Sequence, residues 1–176
     1  MNNFFKNLGV GQESLIKKWL DKNGIKDYIL DDEYRILAYD VKIVVDGNLP
    51  EYINFKMACD FTLCGTKNTT SLRGCPELVY HDFICRNCPN LKTLEGCPRI
   101  VHRNFMVENN GIEDIKEYPF FPQQAYRVCL YGNPITTDHK SKQDLELKIY
   151  KICHTNTDVL TTITLDTKLL QNFKKI

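Results

Sequence analysis

LRGCPELVYHDF, residues 72–83, is followed at an offset of 22 residues by LEGCPRIVHRNF, residues 94–105. Six of the twelve positions are identical, and two more differ conservatively. The same offset leads back from Phe83 to Phe61. A fixed offset of this length is typical of repeat architectures, in which each unit packs on its neighbours. The sequence therefore predicts a solenoid of about four to five repeats of about 22 residues.

The second half of each unit has its own pattern: two apolar residues at alternate positions, a turn, an Asn and one more apolar residue. Two units show it in full, as Phe105-x-Val107-x-x-Asn110-x-Ile112 and Val128-x-Leu130-x-x-Asn133-x-Ile135. Other units are less regular, with Cys88 or Thr66 at the Asn position and a degenerate edge copy at Ile43-x-Val45-x-x-Asn48. The pattern matches the L-x-L-x-x-N/C-x-L core of a leucine-rich repeat.

Apolar residues at every second position predict a short strand with one side in the core. Phe105 and Val107 would point inward, while Asn104, Met106 and Glu108 would point outward. One such strand per turn stacks into a parallel sheet, and the rest of each unit returns on the far side. The inward position is a phenylalanine in three successive units: Phe61, Phe83 and Phe105.

Two further positions of the repeat have a predicted structural role. Gly74 and Gly96 allow a tight bend of the backbone on the return side. Asn110 and Asn133 are expected to turn inward and to hydrogen-bond the backbone of neighbouring turns, where polar groups would otherwise be buried without partners.

These residues resemble the leucine-rich-repeat family, and within it the short L-x-x-L-x-G-x-P repeats with an aromatic strand residue found in bacteriophage and some bacterial proteins. The match covers residues 43–135 and is carried by Leu72, Gly74, Pro76, Val79, Phe83, Leu91, Leu94, Gly96, Pro98, Val101, Phe105, Val107, Asn110 and Ile112. The resemblance implies an α/β solenoid that binds other proteins through its sheet face. It also implies a phage-encoded protein that binds or inhibits a host protein, such as a defence or regulatory factor, in the host cytoplasm.

The outward strand residues are the predicted recognition face, since they can vary without changing the core. They mix acids with Arg, Tyr, Met and Ile, and Arg and Tyr are favoured anchors at interfaces. The set is Asp60, Thr62, Cys64, Asp82, Ile84, Arg86, Asn104, Met106, Glu108, Arg127, Cys129 and Tyr131. Cys129, between two inward residues, is predicted to be an exposed thiol.

The flanks of the repeats predict end caps within one compact unit. Residues 1–42 are assigned to an N-terminal cap, with a helix behind Ser14 that ends at Gly24 and then a β-hairpin or small meander. Residues 43–135 are assigned to the solenoid. Residues 136–176 are assigned to a C-terminal helical cap, with one helix from Asp138 or Ser141 to Cys153 and a second over Asp166–Ile176.

Composition excludes several classes of protein. The 176 residues are 43% hydrophobic and 26% charged, which is ordinary for a folded globular chain. A net charge of +1 provides no overall electrostatic attraction to nucleic acid or to an anionic membrane. Because the chain starts with no apolar signal segment and has no run of about 20 apolar residues, a cytoplasmic location is expected.

Eight cysteines and four histidines raise two alternatives to a binding module. Cys85-x-x-Cys88 has zinc-ligand spacing and could be completed by Cys75, Cys97, His81 or His102, which would give a zinc-stabilised structural or nucleic-acid-associated protein. The repeat register favours structural cysteines instead, since Cys75 and Cys97 recur at one position. A thiol enzyme, for example at Cys153-His154, is the weaker alternative. We therefore expect no catalytic residue, metal or cofactor.

Overall fold

The computed structural model describes residues 9–116, 119–137, 142–153 and 162–164. The helices are α1 (Gly9–Lys22) and α2 (Lys142–Cys153). The strands are β1 (Tyr28–Leu30), β2 (Ile36–Val44), β3 (Phe55–Cys64), β4 (Leu78–Val79), β5 (Phe83–Arg86), β6 (Ile100–Glu108), β7 (Gln124–Cys129) and β8 (Thr162–Thr164). In the part of the chain that the structure describes, neither helix is long and apolar enough to cross a membrane.

All eight strands form one sheet, wound as a β-solenoid of about four turns. β1 pairs antiparallel with β2, and every other pairing is parallel. Phe61, Phe83 and Phe105 lie side by side on β3, β5 and β6, and Val128 follows on β7. The predicted offset of 22 residues is therefore confirmed, and the last step, from Phe105 to Val128, is one residue longer.

Each turn crosses the sheet in two short arms separated by a bend. The first arm contains residues 36–38, 57–58, 78–79, 100–101 and 124–125, and the second arm contains residues 40–44, 60–64, 83–86, 104–108 and 127–129. In the middle turn the bend separates β4 from β5, whereas β6 runs through both arms with a register shift between Val101 and Asn104. The solenoid thus presents two outward faces.

Stacked phenylalanines fill the second arm. The rings of Phe61 and Phe83 stack with centroids 5.8 Å apart and planes 6° apart, and those of Phe83 and Phe105 with 5.4 Å and 11°. Phe55 and Phe121 close the two ends of this stack edge-on, at 5.2 and 5.5 Å. All five side chains are fully buried. Adjacent aromatic pairs contribute roughly 0.5–1.5 kcal/mol beyond their burial, so each of the four ring contacts adds to the stability of the solenoid.

The first arm has a thinner interior than the second. Its inward positions hold small or β-branched residues, all of them buried: Ala38, Ala58, Val79, Val101 and Ala125. Beyond the first turn, α1 contributes buried Ile16 and Leu20, and its Trp19 ring lies 6.4 Å from the Phe55 ring. The hydrophobic core therefore continues without interruption from α1 into the solenoid.

Buried asparagines join successive turns, as the sequence predicts. Oδ1 of Asn110 accepts the N–H of Cys88 at 2.8 Å, and its Nδ2 donates to the carbonyl of Cys85 at 3.0 Å. Nδ2 of Asn133 donates to the carbonyls of Val107 and Leu130, both at 2.7 Å. Each asparagine thereby pairs backbone groups of the turn before it that would otherwise be buried without partners.

Gly74 and Gly96 lie at the predicted bends with positive φ, +90° and +86°. Space also excludes other residues there: a Cβ on Gly74 would lie 2.5 Å from the carbonyl oxygen of Ile53, and one on Gly96 would lie 2.8 Å from the amide of Arg73. These glycines set how closely the turns stack on the return side.

The first turn differs from the prediction. Val41 is opposite Phe61, and Ile43 is opposite Leu63, so the edge copy is shifted by two residues from the predicted register. Asn48 is exposed, whereas the buried polar residue at this edge is Thr69, which follows β3 and donates to the carbonyl of Gly47 at 2.9 Å. The first turn is shorter than the next, because Val41 and Phe61 are 20 residues apart whereas Phe61 and Phe83 are 22 residues apart.

The flanks also differ from the prediction. α1 begins at Gly9, so Ser14 lies within the helix, although Gly24 ends it with φ of +72° as expected. The β1–β2 hairpin is confirmed, but β2 pairs in parallel with β3 from Ile36 onward and so crosses the boundary assigned between residues 42 and 43.

The C-terminal part contains a strand that the sequence analysis did not assign. α2 confirms the first predicted helix, while its predicted caps, Asp138 and Ser141, lie outside the described residues. β8 pairs with β7 in parallel, so the sheet continues past residue 135. Its sequence is Thr-Ile-Thr, and such β-branched residues favour strands. The helix predicted over 166–176 also lies outside the described residues.

We predict that Phe105→Ala lowers the free energy of unfolding by about 3–5 kcal/mol, because it removes the ring between Phe83 and Phe121 and leaves a cavity. Urea unfolding followed by circular dichroism measures this change. The matched control is Tyr126→Ala, which removes an exposed ring of β7 and should cost less than about 1 kcal/mol. Equal losses in the two variants would contradict the inward placement of Phe105.

Asn110→Ala should cost about 1–3 kcal/mol, because it leaves the N–H of Cys88 and the carbonyl of Cys85 unpaired in the core. Its neighbour Asn109 has φ of +53°, so Asn109→Gly is the control that keeps the backbone conformation. We expect this control to stay within about 1 kcal/mol of the wild type. Urea unfolding compares the two variants. A control variant as unstable as Asn110→Ala would contradict the role of the Asn110 side chain in pairing backbone groups of the turn before it.

Candidate protein-binding surface

The predicted recognition residues come together on the outward face of the second arm, which we name the second-arm surface. They form three rows across the strands. The Thr62 row continues in register through Ile84 and Met106 to Cys129, and the Cys64 row continues through Arg86 to Glu108. Asp82 precedes β5 and is joined by hydrogen bonds to Asp60 and Asn104, and Asn104 is in register with Arg127. Tyr131 follows β7, and its carbonyl accepts the N–H of Asn109. The members are Asp60, Thr62, Cys64, Asp82, Ile84, Arg86, Asn104, Met106, Glu108, Arg127, Cys129 and Tyr131.

A polar row runs along one side of the second-arm surface. Oδ1 of Asp60 accepts the backbone N–H of Asp82 at 3.1 Å, and Oδ1 of Asp82 accepts the side-chain amide of Asn104 at 2.7 Å. His81 Nδ1 lies 3.0 Å from Oδ2 of Asp60. These contacts hold the side chains of successive turns in fixed positions.

A charged pair lies on the opposite side of this surface. Nε of Arg86 is 3.2 Å from Oε2 of Glu108, whose side chain is only 13% exposed. Between this pair and the polar row, Ile84 and Met106 are paired in register and half-buried. The surface therefore has an apolar centre between two polar borders.

The prediction that Cys129 is an exposed thiol is wrong, because only 1% of the residue is accessible to solvent. β7 is not the last strand: β8 pairs beyond it, with Thr164 opposite Cys129, and the Glu108 carboxylate lies 3.5 Å from Sγ on the other side. Burial raises the pKa of the Cys129 thiol to about 11, and the negative charge of Glu108 adds to the rise. Cys129 is thus closed off from a partner, although it lies on the outward side.

The cysteines of the zinc alternative lie inside the solenoid. Sγ of Cys85 and Sγ of Cys88 are 3.9 Å apart in the core. The hydrogen bond between them and burial raise the pKa of Cys85, so this thiol keeps its proton at neutral pH. His81 and His102 belong to the outward faces, where one bonds Asp60 and the other stacks on Tyr80. Within the described ranges, no group of three or more His, Cys, Asp or Glu side chains could hold a metal ion.

Two further cysteine predictions have different outcomes. Cys75 and Cys97 are both buried at equivalent positions of the repeat. Burial raises the pKa of the Cys75 thiol, and the nearby Cys97 raises it further. Such thiols behave as small apolar groups. The Cys153-His154 pair extends beyond the described residues.

The outward face of the first arm was missed at the sequence level. An apolar row there contains Ile29, Leu37, Met57, Leu78 and Ile100. Directly after the inward residues of this arm come Tyr39, Cys59, Tyr80, His102 and Tyr126, a largely aromatic set in which the Tyr80 and His102 rings stack at 5.5 Å. The available signal was the alternation in Leu78-Val79-Tyr80 and Ile100-Val101-His102, which marks a second strand in each repeat.

Alkylation of the native protein tests the placement of Cys129. With a pKa of about 11, its thiolate fraction at pH 8 is on the order of one in a thousand, and the thiol is also inaccessible. We expect iodoacetamide to modify Cys129 at least about tenfold more slowly than half-buried Cys64, as followed by peptide mass spectrometry. Equal rates in the folded protein would mean that the second-arm surface is open at Cys129.

No protein-family model matches this chain, no curated protein is similar to it, and no solved structure matches its fold.

Proposed function

We propose that this chain is a leucine-rich-repeat protein that recognises another protein through the second-arm surface. The observation that carries the proposal is the contrast between the two sides of the same strands. Inward positions repeat as phenylalanine in three turns, while the paired outward positions change from Thr62 to Ile84 to Met106. The fold depends on the inward set, which leaves the outward set available for recognition.

The make-up of the second-arm surface supports a protein as the partner. An apolar centre at Ile84 and Met106 with polar borders is the usual anatomy of a protein interface. Arg86 and Tyr131 supply the side-chain types that most often anchor such interfaces. Acids and bases are interspersed, with Arg86 paired to Glu108, which is unlike the one-sided positive charge that nucleic acid requires.

The repeat geometry supports the leucine-rich-repeat assignment. In both complete units the strand, the turn and the inward asparagine follow each other as in the family pattern, and Asn110 and Asn133 bond the preceding turn. The proposal includes end caps. α1 covers the Phe55 end of the core, and α2 contacts β7 and buries Leu145, Ile149 and Ile152.

The origin of the partner is part of the same proposal and rests on the resemblance to phage repeat proteins. A phage-encoded chain of this kind acts in the host cytoplasm by binding a host protein, of which a defence or regulatory factor is the specific case. Binding alone would perturb such a factor, so the proposal requires no catalytic residue, metal or cofactor.

The test separates partner binding from stability. Ile84→Thr, Met106→Thr and Tyr131→Ser are combined, because threonine and serine remove apolar contact area while threonine keeps the strand preference. The wild type captures its partner from host lysate, and the partner is then purified and titrated against the variant. Two changes at the apolar centre and one at an anchor-type residue, of about 2 kcal/mol each, predict that Kd rises by a factor on the order of 1000 or more.

The matched control combines Arg73→Ala, Lys92→Ala and Glu95→Ala. These residues are exposed on the return side, where Arg73 pairs with Glu95 at 2.8 Å. Both triple variants should unfold within about 1 kcal/mol of the wild type. A partner that binds the second-arm variant at full affinity but is lost by the control would place the binding site on the outer turns.

A further inference from the structure

Two cysteine sulfurs are in contact inside the middle turn of the solenoid. Sγ of Cys85 lies 3.9 Å from Sγ of Cys88, and both residues are completely buried. Cys85 is the second inward residue of β5, and Cys88 follows it by three residues, directly after Asn87 with φ of +62°. The fold thus holds two free thiols against each other that the proposed function does not use.

The turns on both sides fix the position of this pair. The side-chain oxygen of Asn110, in the next turn, accepts the N–H of Cys88 at 2.8 Å, and its Nδ2 donates to the carbonyl of Cys85 at 3.0 Å. In the turn before, Gly65 leaves room for the sulfur, since a Cβ on Gly65 would lie 2.4 Å from Sγ of Cys88. One asparagine therefore holds the backbone of both cysteines, and the glycine allows the Cys88 sulfur its place.

The two thiols are not equivalent. The hydrogen bond between the sulfurs raises the pKa of Cys85 and lowers the pKa of Cys88, so Cys85 is its donor. Cys88, when protonated, donates in turn to the carbonyl of Arg86 at 3.4 Å. Cys88 also lies between two exposed residues, Asn87 and Pro89, whereas Cys85 lies within β5. Because the thiolate is the nucleophilic form of cysteine, Cys88 is the thiol that reacts first.

We infer that Cys85 and Cys88 form a reversible dithiol–disulfide pair that a hydroperoxide oxidises in the folded protein. The Cys88 thiolate attacks one oxygen of hydrogen peroxide, the O–O bond breaks, and the leaving hydroxide takes up the proton that Cys88 released. Cys88 is then a sulfenic acid. Sγ of Cys85 attacks Sγ of Cys88, the S–O bond breaks, and hydroxide leaves as water with the proton of Cys85. Two thiols and one peroxide thus give one disulfide and two waters.

Two other buried thiols face oxygen atoms rather than a sulfur. Sγ of Cys97 lies 3.9 Å from the carbonyl oxygen of Pro119, and Sγ of Cys129 lies 3.5 Å from a carboxylate oxygen of Glu108. Burial alone makes a thiol inert, as at these positions. The pair in the middle turn differs from them because each sulfur has a second sulfur in contact.

Formation of the disulfide reaches the second-arm surface through Arg86. The bond draws the sulfurs closer than 3.9 Å and so changes the segment that joins them. In that segment, Nε of Arg86 is 3.2 Å from Oε2 of Glu108, and the N–H of Asn87 donates to the carbonyl of Glu108 at 3.3 Å. Oxidation therefore shifts both contacts to Glu108. The reaction itself is independent of the proposed function, and only an effect on partner affinity would rest on it.

Oxidation of the full chain by hydrogen peroxide under native conditions tests the inference. Remaining thiols are blocked with N-ethylmaleimide, and trypsin then cuts after Arg86, which separates the two cysteines into peptides 74–86 and 87–92. With about one equivalent of peroxide, these two peptides should account for at least about nine-tenths of the disulfide formed, and dithiothreitol should separate them again. Fragmentation of the joined peptides distinguishes Cys85 from Cys75, which lies in the same peptide.

Three single variants separate the roles of the thiols. In Cys85→Ser the sulfenic acid of Cys88 has no thiol to resolve it, so dimedone should capture it at least about tenfold more than in the wild type. Cys88→Ser should leave Cys85 reduced. Cys75→Ala is the matched control and should form the disulfide as the wild type does. Urea unfolding checks that each variant is folded, and the wild-type peptide map decides the question if one is not.

Nuclear magnetic resonance measures the consequence for the second-arm surface without a partner. Oxidation should shift the amide resonances of Arg86, Asn87 and Glu108, because the segment between the cysteines changes. The amide of Tyr126, in the first arm, is the control and should stay in place. Unchanged resonances at Glu108 in the oxidised protein would contradict the link between the disulfide and this surface.

Three results would overturn the inference. The first is the absence of joined peptides at this peroxide concentration, and the second is a main product that joins Cys85 or Cys88 to another cysteine. The third is disulfide formation no faster than global unfolding in the same buffer, which would mean that the unfolded chain is oxidised instead. A second-arm surface that binds no protein would leave all of these measurements unchanged, so the two proposals fail separately.

Discussion

The stack of buried phenylalanine rings is the constraint on which the rest of the structure depends. Phe61, Phe83 and Phe105 can lie ring on ring only if each turn returns to the same register, with 22 residues between neighbours. That register places Asn110 against the backbone of the turn before it and brings Gly96 against Arg73 on the return side. Because every inward side chain is fixed in this way, every outward side chain is fixed as well.

Much of this arrangement could be predicted from the sequence, because the offset between repeats shows which residues lie opposite each other in neighbouring turns. The stacked rings, the inward asparagines and the second-arm rows all follow from the 22-residue offset and from the alternation of inward and outward residues along each strand. The first turn could not be predicted, since its shorter length moves Val41 to the position expected for Ile43. Cys129 was misjudged because its burial depends on β8, a strand distant in sequence whose three residues carry little signal of their own.

The first arm was missed for a different reason. Its inward residues are small, as at Ala58 and Ala125, so its pattern has little contrast between core and surface. Such short two-residue steps as Leu78–Val79 are difficult to distinguish from a loop. Yet this arm gives the protein its second outward face. The two faces differ in chemistry: the second-arm surface is a polar frame around Ile84 and Met106, whereas the outward face of the first arm has an apolar row beside a largely aromatic set of side chains.

The claim that one repeated register builds the protein is tested most directly by double-mutant cycles among the stacked rings. Leucine replaces Phe61, Phe83 and Phe105 singly and in pairs, and the free energy of unfolding is measured for each variant. Neighbouring rings should be coupled by about 0.5–1.5 kcal/mol for Phe61 with Phe83 and for Phe83 with Phe105. Phe61 and Phe105, which lie two turns apart with Phe83 between them, should show coupling near zero. Coupling of equal size in all three pairs, or none between neighbours, would contradict the stacked register.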